Sequence, residues 1–172
     1  VVWDVPGNFV PAHLPPPILV DATAGCGIDT INLATYFPYT HIHAVEKDPN
    51  NSIALRHNLT EALRFENVAI HPNTDCQQFL DLFPWNIHIL YFDLPWGGPG
   101  YAHHGYTALR LNDSLSMTDL YERYRHKVTG AFIFKVPRNC PEIEFSFMLQ
   151  ARWYPARHNN SVFSFVLIPT RF

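Results

Sequence analysis

The sequence predicts a single α/β domain with a mostly parallel sheet and helices on both faces. Short β-branched runs alternate with segments of helical periodicity along most of the chain, which is the pattern that crossover connections produce. Three of the runs also end in an acidic residue, namely Asp21, Glu46 and Asp93. Ligands of such sheets bind beyond the carboxyl ends of the strands, so these carboxylates mark the expected site.

The elements can be followed along the chain by apolar spacing and by helix-start residues. Seven strands are expected, over residues 18–20, 41–48, 68–70, 86–93, 130–136, 152–158 and 162–168. Four helices are expected: one carrying Thr30, Ile31, Leu33 and Ala34, one starting at Pro49 and carrying Ile53, Leu55, Leu59 and Leu63, one from about Asp75, and one capped by Thr118 and ending near Val128. A long loop separates the fourth strand from the last helix.

One domain accounts for the sequence apart from its start. Residues 1–17 hold five of the fifteen prolines and are expected to form a proline-rich leader, followed by the domain over residues 18–172. There is no apolar run of membrane-spanning length and no signal peptide before the first strand. The three cysteines are odd in number and lack metal-ligand spacing, which favours a reducing compartment. We therefore expect an intracellular monomer, nuclear or cytoplasmic, that binds neither membrane nor metal.

Charge is distributed unevenly between the two halves of the chain. Residues 1–86 hold three Lys/Arg and nine Asp/Glu, whereas residues 87–172 hold nine and six, so the halves carry −6 and +3. The overall charge of −3 argues against a general nucleic-acid coat. The asymmetry predicts that an anionic partner docks on the second half, although ordinary scatter of surface charge would give the same count.

A turn of small residues, "DATAGCG", follows the first strand. Its Gly25 and Gly27 let the backbone approach a ligand closely. Glu46 ends the next strand about twenty residues later, where a carboxylate can accept hydrogen bonds from ribose hydroxyls. A dinucleotide site shares these features, but Thr30 stands where its third glycine would be.

The acidic side chains near this turn favour a different cofactor. Asp21 and Asp29 would repel a pyrophosphate, but they suit the sulfonium and amino-acid end of S-adenosylmethionine. Asp75 is placed to accept a hydrogen bond from an adenine amine. A purely structural turn is the alternative, and the additional carboxylates Glu46 and Asp75 favour the cofactor.

The stretch "FDLPWGGPGY" follows the fourth strand and places a tryptophan among loop-forming residues. Asp93-Leu94-Pro95-Trp96 has the layout of the Asp/Asn-Pro-Pro-aromatic loop of methyltransferases that act on planar amines. A rigid loop of this kind can offer oxygens to the amine N–H groups while an aromatic face fixes the plane of the ring. Because tryptophan presents the best π face for a cation, the bound ring is expected to carry positive charge.

The sequence resembles the trimethylguanosine synthase family, the RNA cap guanine-N2 methyltransferases, over residues 18–170. Four stretches carry the resemblance: "DATAGCGIDTINLA", "AVEKDPNNSIALRHN", "DLPWGGPGY" and "FKVPRN". The Pro-Trp-Gly-Gly-Pro run followed by Pro-Arg-Asn is the most specific feature. The family more often has Ser-Pro-Pro-Trp, so Asp93 and Leu94 depart from its pattern.

The resemblance implies a Rossmann-like class I methyltransferase that transfers a methyl group from S-adenosylmethionine to the exocyclic N2 of a 7-methylguanosine RNA cap, giving a dimethyl- or trimethylguanosine cap. It implies that Trp96 stacks on the 7-methylguanine and that Arg138 contacts cap phosphates. The expected catalytic residues are Asp93, Pro95 and Trp96. The expected substrate contacts are Trp96, Lys135, Arg138 and Asn139. The expected cofactor contacts are Asp21, Thr23, Ala24, Gly25, Gly27, Thr30, Glu46, Lys47, Asp75, Cys76 and Asp93.

Two other functions stay open at this point. An amino-methyltransferase for adenine or guanine in RNA or DNA is favoured by Asp93 and disfavoured by Trp96 with Arg138. A catalytically inactive cap- or RNA-binding module is disfavoured by the intact glycine turn and its carboxylates.

Histidines and a basic segment give weaker signals. His41 and His43 share one face of a strand, and His103-His104 are adjacent, but no partner at metal-ligand spacing supports either pair. The segment "YERYRHK" could catch RNA phosphates, although a solvated helix face explains it at least as well.

Overall fold

The computed structural model describes residues 15–96, 108–145, 150–155 and 163–170. Its strands are β1 (Ile18–Asp21), β2 (His41–Glu46), β3 (Val68–Pro72), β4 (Ile87–Asp93), β5 (Arg110–Leu111), β6 (Leu115–Ser116), β7 (Val128–Pro137), β8 (Arg152–Pro155) and β9 (Phe163–Pro169). Seven of them form one sheet in the order β3-β2-β1-β4-β7-β9-β8. Neighbours from β3 to β7 are parallel, whereas β9 is antiparallel to both β7 and β8. The predicted mostly parallel sheet of seven strands is confirmed.

Helices cover both faces of this sheet. The four α-helices are α1 (Ile28–Tyr36), α2 (Pro49–Arg56), α3 (Cys76–Leu82) and α4 (Met117–Tyr124). Successive strand residues point to opposite faces, so Leu19 and Val20 of β1 face different layers. Leu19 belongs to a small apolar cluster with Ala34 of α1, whereas Val20 belongs to the main core with Leu80 of α3 and Leu120 of α4. Because successive strand residues face opposite sides, α1 packs on one face of the sheet and α3 and α4 pack on the other.

The second helix differs from its prediction. Asp48 caps α2 through hydrogen bonds from the backbone N–H groups of Asn50 and Asn51, and a π-helical turn over His57–Ala62 continues it. Of the four residues expected on its buried face, Leu55 and Leu59 are fully buried, but Ile53 and Leu63 are 71% and 51% exposed. The wider π turn ends the regular 3.6-residue periodicity on which the expectation for Leu63 rested.

The last helix begins two residues earlier and ends earlier than predicted. Ser116, not Thr118, is its N-cap, because Ser116 and Asp119 form a reciprocal capping box. The helix ends at Tyr124, and β7 starts at Val128, where a helix end had been expected. The ammonium of Lys127 donates to the backbone carbonyls of Leu80, Asp81 and Phe83, which fixes the connection into β7 against the end of α3.

Part of the predicted long loop after β4 is structured. The short strands β5 and β6 pair as an antiparallel hairpin directly before α4. Their two-residue length gives no periodicity, so the sequence could not reveal them. None of the described helices is long and apolar enough to cross a membrane. Residues 1–14 lie outside the described part of the chain, so the division into a leader and a domain stays a prediction.

Candidate active site

A cavity of about 340 Å³ lies at the carboxyl ends of the parallel strands. Parallel neighbours β1, β2 and β4 all end at this edge of the sheet, which brings together segments that are far apart in sequence. The volume is within the range of small-molecule sites. The lining residues are Ala22, Thr23, Gly25, Val45, Glu46, Lys47, Asp48, Asn51, Thr74, Cys76, Asp93, Pro95, Leu111 and Asn112.

The glycine turn forms one wall of the cavity and is held by Glu46. The Oε2 atom of Glu46 accepts a 2.7 Å hydrogen bond from the Gly25 backbone N–H, and its Oε1 atom accepts one of 2.6 Å from Asp48. Gly25 and Gly27 have φ angles of +55° and +97°, which side-chain-bearing residues rarely adopt. A Cβ atom on Gly25 would meet nothing within 4 Å, so the turn opens onto free space. Each Glu46 oxygen keeps a second lone pair for a hydroxyl donor.

Asp21 and Thr30 lie beneath this turn rather than in the cavity wall. Both side chains are fully buried, and Thr30 Oγ1 donates a 2.6 Å hydrogen bond to Asp21 Oδ2. Burial raises the pKa of Asp21 to about 7, an effect that the hydrogen bond from Thr30 opposes in part. These two residues support the turn, and direct cofactor contact by either stays a prediction.

The hairpin of β5 and β6 closes the cavity beside α3. Asn112 accepts a 2.6 Å hydrogen bond from Lys47 Nζ at its Oδ1 atom, and its Nδ2 atom donates to Asp75 Oδ2 at 3.0 Å and to Gln77 Oε1 at 3.1 Å. Asp75 Oδ1 caps α3, so this carboxylate serves the helix and the hairpin together. Burial raises the pKa of the neighbouring Cys76 thiol to about 12, which makes it a neutral contact.

Asp93 lines the cavity at the end of β4. Its backbone N–H donates a 2.7 Å hydrogen bond to Thr23 Oγ1, which ties the end of β4 to the glycine turn. Its Oδ2 atom accepts from Lys135 Nζ at 3.0 Å, and the same ammonium lies 2.9 Å from Asp29 Oδ2. Burial raises the pKa of Asp93, and the charge of Lys135 opposes that rise. Two carboxyl groups and one ammonium therefore meet here, and among the described residues Asp93 is the one of the three that lines the cavity.

The loop after β4 begins at this cluster. Pro95 is exposed and lines the cavity, and Trp96 is partly buried against the main core. The Lys135 ammonium lies 5.9 Å from the centre of the Trp96 ring. The Gly-Gly-Pro-Gly-Tyr continuation of the loop falls in residues 97–107, outside the described residues.

Three predicted substrate residues, Lys135 on β7 and Arg138 and Asn139 just after it, differ in environment. Arg138 and Asn139 are exposed just beyond the end of the strand. The Lys135 side chain is only 15% exposed, and its ammonium is paired with Asp29 and Asp93.

The histidines occupy a separate aromatic cluster. His43 Nδ1 and His71 Nε2 lie 3.0 Å apart as a hydrogen bond, and their rings stack together with that of His41. Burial lowers the pKa of His43 to about 4, so it is neutral at physiological pH. Among the described residues, no group of three or more potential metal ligands comes together. His103 and His104 lie outside those residues.

The structure brings most of the predicted cofactor residues to one cavity. Of these, Thr23, Gly25, Glu46, Lys47, Cys76 and Asp93 line it, whereas Asp21, Ala24, Gly27, Thr30 and Asp75 lie behind or beside the lining. Pro95 was expected as a catalytic residue. Sequence reasoning missed seven other lining residues: Ala22, Val45, Asp48, Asn51, Thr74, Leu111 and Asn112. Asn51 lies in the first turn of α2, directly after β2, so the predicted connection from strand to helix could have identified it. No local pattern identifies Asn112.

These features define an α/β protein of the class I methyltransferase type. A human methyltransferase 10 domain-containing protein has the same fold, with a TM-score of 0.70 at 11% identity over 99% of this chain and 79% of that one. A methyltransferase of Streptococcus mutans, solved in complex with SAH, matches with a TM-score of 0.60 at 16% identity over 89% and 88% of the two chains. At such identities the likeness shows the fold alone.

The sequence itself places the chain in a narrower group. Residues 17–151 match the RNA cap guanine-N2 methyltransferase family, and the chain belongs to it. It is 30% identical over 104 residues to the trimethylguanosine synthase of Schizosaccharomyces pombe, covering 57% of this chain and 40% of that protein. It is 28% identical over 127 residues to protein L320 of Acanthamoeba polyphaga mimivirus, covering 71% and 46%. The chain thus spans less than half the length of these relatives. S-adenosylmethionine is the cofactor that this family and fold use.

Proposed function

We propose that the protein transfers a methyl group from S-adenosylmethionine to the exocyclic N2 of a 7-methylguanosine RNA cap. One observation carries the proposal: Asp93 and Pro95 of the amine-orienting loop line the same cavity as Gly25 and Glu46. A cofactor in the cavity and a planar amine at the loop would then be neighbours. Family membership supports the guanine N2 as the acceptor.

The cavity suits S-adenosylmethionine by size and by its donors and acceptors. Glu46 offers carboxylate lone pairs where the ribose hydroxyls of an adenosine would need acceptors. The carboxyl oxygens of Asp29 and Asp93 complement the positive charge of a sulfonium and an ammonium. Bound S-adenosylmethionine supplies an electrophilic methyl group.

The residues of the loop after β4 are proposed to bind and orient the acceptor base. Asp93 accepts hydrogen bonds from the amine N–H groups and so points the nitrogen lone pair into the cavity. Trp96 supplies a π face, and the attraction of an indole for a cationic ring is worth roughly 0.5 to 2 kcal/mol. Such positioning supplies most of the acceleration, and no strong base is needed because a cationic 7-methylguanine readily loses its amine proton after transfer.

Arg138 and Asn139 are proposed to bind the phosphate bridge of the cap. Both are exposed just beyond the end of β7, the strand that pairs with β4. A guanidinium can form a bidentate contact with a phosphate, which the buried Lys135 cannot offer from its present position.

Amino-methylation of adenine or unmethylated guanine is the second candidate. The carboxylate of Asp93, where the family more often has serine, favours it, because a carboxylate can orient any exocyclic amine. A requirement for positive charge on the base separates the two candidates.

The test compares two acceptors that differ by one methyl group. Wild-type protein is incubated with labelled S-adenosylmethionine and either a 7-methylated cap dinucleotide or the unmethylated one. Transfer to the 7-methylated cap alone, with the label on N2, supports the proposal. Equal transfer to both acceptors would favour the second candidate, and cofactor binding without transfer to any base would leave a binding module.

A further inference from the structure

Lys135 lies where two elements of the active site meet the end of β7. It is the direct cross-strand partner of Asp93, in a register that places both side chains at the carboxyl edge of the sheet. Its Nζ atom lies 3.0 Å from Asp93 Oδ2 and 2.9 Å from Asp29 Oδ2. The ammonium is thereby shared between the amine-orienting loop and the first turn of α1.

The surroundings of this ammonium restrict it to that position. The side chain is 15% exposed, and its Nζ atom lies 5.1 Å from the ring centre of Phe163 and 5.9 Å from that of Trp96. Tyr91 donates a 2.8 Å hydrogen bond to Asp29 Oδ2, the same oxygen that faces Lys135. A long cationic side chain held by two carboxylates and two rings has few conformations in which it could reach a phosphate outside.

Charge balance explains why such a cation is needed. The Asp93 side chain is less than a third exposed. Two more carboxyl groups, Asp29 on α1 and Asp21 on β1, and the phenol of Tyr91 on β4 interact with this cluster electrostatically. Burial and the carboxyl group of Asp29 favour the protonated form of Asp93, in which one oxygen carries a proton and becomes a donor. Lys135 is the described cation that faces Asp93 from β7 and favours its charged form.

We propose that Lys135 is a positioning residue that keeps the Asp93 carboxylate ionised and oriented toward the acceptor amine, rather than a phosphate ligand. The orientation is set by three fixed points: Thr23 Oγ1 on the Asp93 backbone N–H, the ammonium on its Oδ2 atom, and Asp29 holding that ammonium from the other side. Among the described residues no hydrogen bond to the Asp93 Oδ1 atom is seen, so this is the oxygen assigned to the amine. The role given to Asp93 rests on the proposed function, whereas its ionisation does not.

The first experiment measures that ionisation without any RNA. Asp93 is titrated by carbon-13 carboxyl NMR in protein labelled at aspartate, with its signal assigned by its loss in Asp93→Asn. Lys135→Met should move the Asp93 midpoint upward, because the ion pair is lost, whereas Asp29→Asn should move it downward, because a repelling carboxylate is lost. Lys135→Arg should stay near wild type. Arg125→Met, which removes an equal charge from an exposed pair with Glu122, should leave the midpoint unchanged.

The second experiment measures how ionisation of Asp93 affects the rate of methyl transfer. Methyl transfer by Lys135→Met should fall more at about pH 6 than at about pH 8, where the carboxyl loses its proton in spite of the raised midpoint. Lys135→Arg should restore most of the activity at both values. An unchanged Asp93 midpoint in Lys135→Met, or opposite-charge variants that shift it in the same direction, would overturn the inference.

The phosphate-contact alternative has its own signature. If Lys135 bound cap phosphates, Lys135→Met would reduce the salt dependence of cap binding. That result would also overturn the inference. Absence of any cap methylation in wild type would refute the proposed function while the NMR titration still decided the role of Lys135.

Discussion

Thr30 Oγ1 donates a 2.6 Å hydrogen bond to Asp21 Oδ2, and neither side chain is exposed to solvent. Thr30 occupies the position where a dinucleotide fingerprint has its third glycine, which would permit close packing of helix on strand. Here the hydroxyl instead satisfies a carboxyl group under the turn. Thr30, the residue that argued against a dinucleotide site in the sequence, therefore supports the end of β1.

The first prediction concerns the pH dependence of stability. Burial raises the pKa of Asp21 to about 7 in the folded protein from 3.8, so the folded state holds the proton more tightly than the unfolded state. The stabilisation of the folded state by this proton is fully present below about pH 4 and is lost as the pH rises through about 7. Asp21→Asn cannot titrate at this position and should remove this pH dependence, which amounts to roughly 4 kcal/mol between the two limits.

Urea denaturation of wild type and Asp21→Asn at several pH values between these limits measures the difference. Other groups titrate in both proteins, so the informative quantity is the wild-type free energy of unfolding minus that of the variant. A difference that does not change with pH would mean that Asp21 ionises normally in the folded protein.

The second prediction concerns the hairpin that closes the cavity. Asn112→Ala removes the hydrogen bonds to Lys47, Asp75 and Gln77, so the affinity for S-adenosylmethionine should fall by about 0.5 to 1.5 kcal/mol for each bond that the bound state needs. Asp113→Ala is a matched control, because Asn112 and Asp113 have similar φ angles of 50° and 58° and Asp113 is exposed. Calorimetry measures both variants. Equal affinities in the two would show that the hairpin is not part of the cofactor site.

The sequence allowed the sheet and most of its helices to be predicted for a local reason. Buried parallel strands are short apolar runs in the sequence. The acidic residues that end three of them, Asp21, Glu46 and Asp93, can be identified from the sequence in the same way. Strand order then brings those ends together without any further information. The family resemblance, carried by its four motifs, was confirmed by the match over residues 17–151.

The parts that escaped prediction depend on contacts between distant residues. Lys135 pairs with a residue 42 positions earlier and Asn112 with one 65 positions earlier, and no spacing in the sequence signals either contact. The capping box at Ser116 was readable in principle, since Asp119 stands three residues later, but Thr118 offered a competing cap. Leu63 follows a π-helical turn, which sequence periodicity cannot distinguish from an α-helix, and this accounts for its exposure. Ile53 lies two residues before Leu55, about 200° away around a helix of 3.6 residues per turn, so it faces solvent when Leu55 is buried.

The third prediction concerns phosphate recognition. Arg138→Ala should weaken binding of a cap with a triphosphate bridge much more than binding of free 7-methylguanosine, because only the former offers phosphates to the guanidinium. Arg125→Ala, which removes an exposed arginine paired with Glu122 on α4, should affect neither ligand. Fluorescence titration with both ligands measures the losses. Equal losses for the two ligands in Arg138→Ala would mean that Arg138 supports the fold instead.

The last prediction concerns Trp96, whose ring packs partly against the main core and lies near the ammonium of Lys135. Trp96→Ala should abolish turnover almost completely while S-adenosylmethionine still binds, because the cofactor contacts are proposed to lie with Gly25 and Glu46. Trp85→Ala, which removes an indole that is 59% exposed, is the control and should keep its activity. Circular dichroism of each variant establishes that it is folded before its activity is compared.

A graded change at the same position tests the charge of the base. Trp96→Phe should retain some activity, because a smaller π face still stacks but attracts a cation less. Wild-type protein should prefer the 7-methylated cap over the plain guanosine cap, and this preference should shrink in Trp96→Phe. The four rate constants form a double-mutant cycle in which the N7 methyl is one of the two changes, so the coupling between indole and charge is measured directly. A preference that survives loss of the indole would place recognition of the charged base elsewhere, with the carboxylates of Asp29 and Asp93 as the next groups to test.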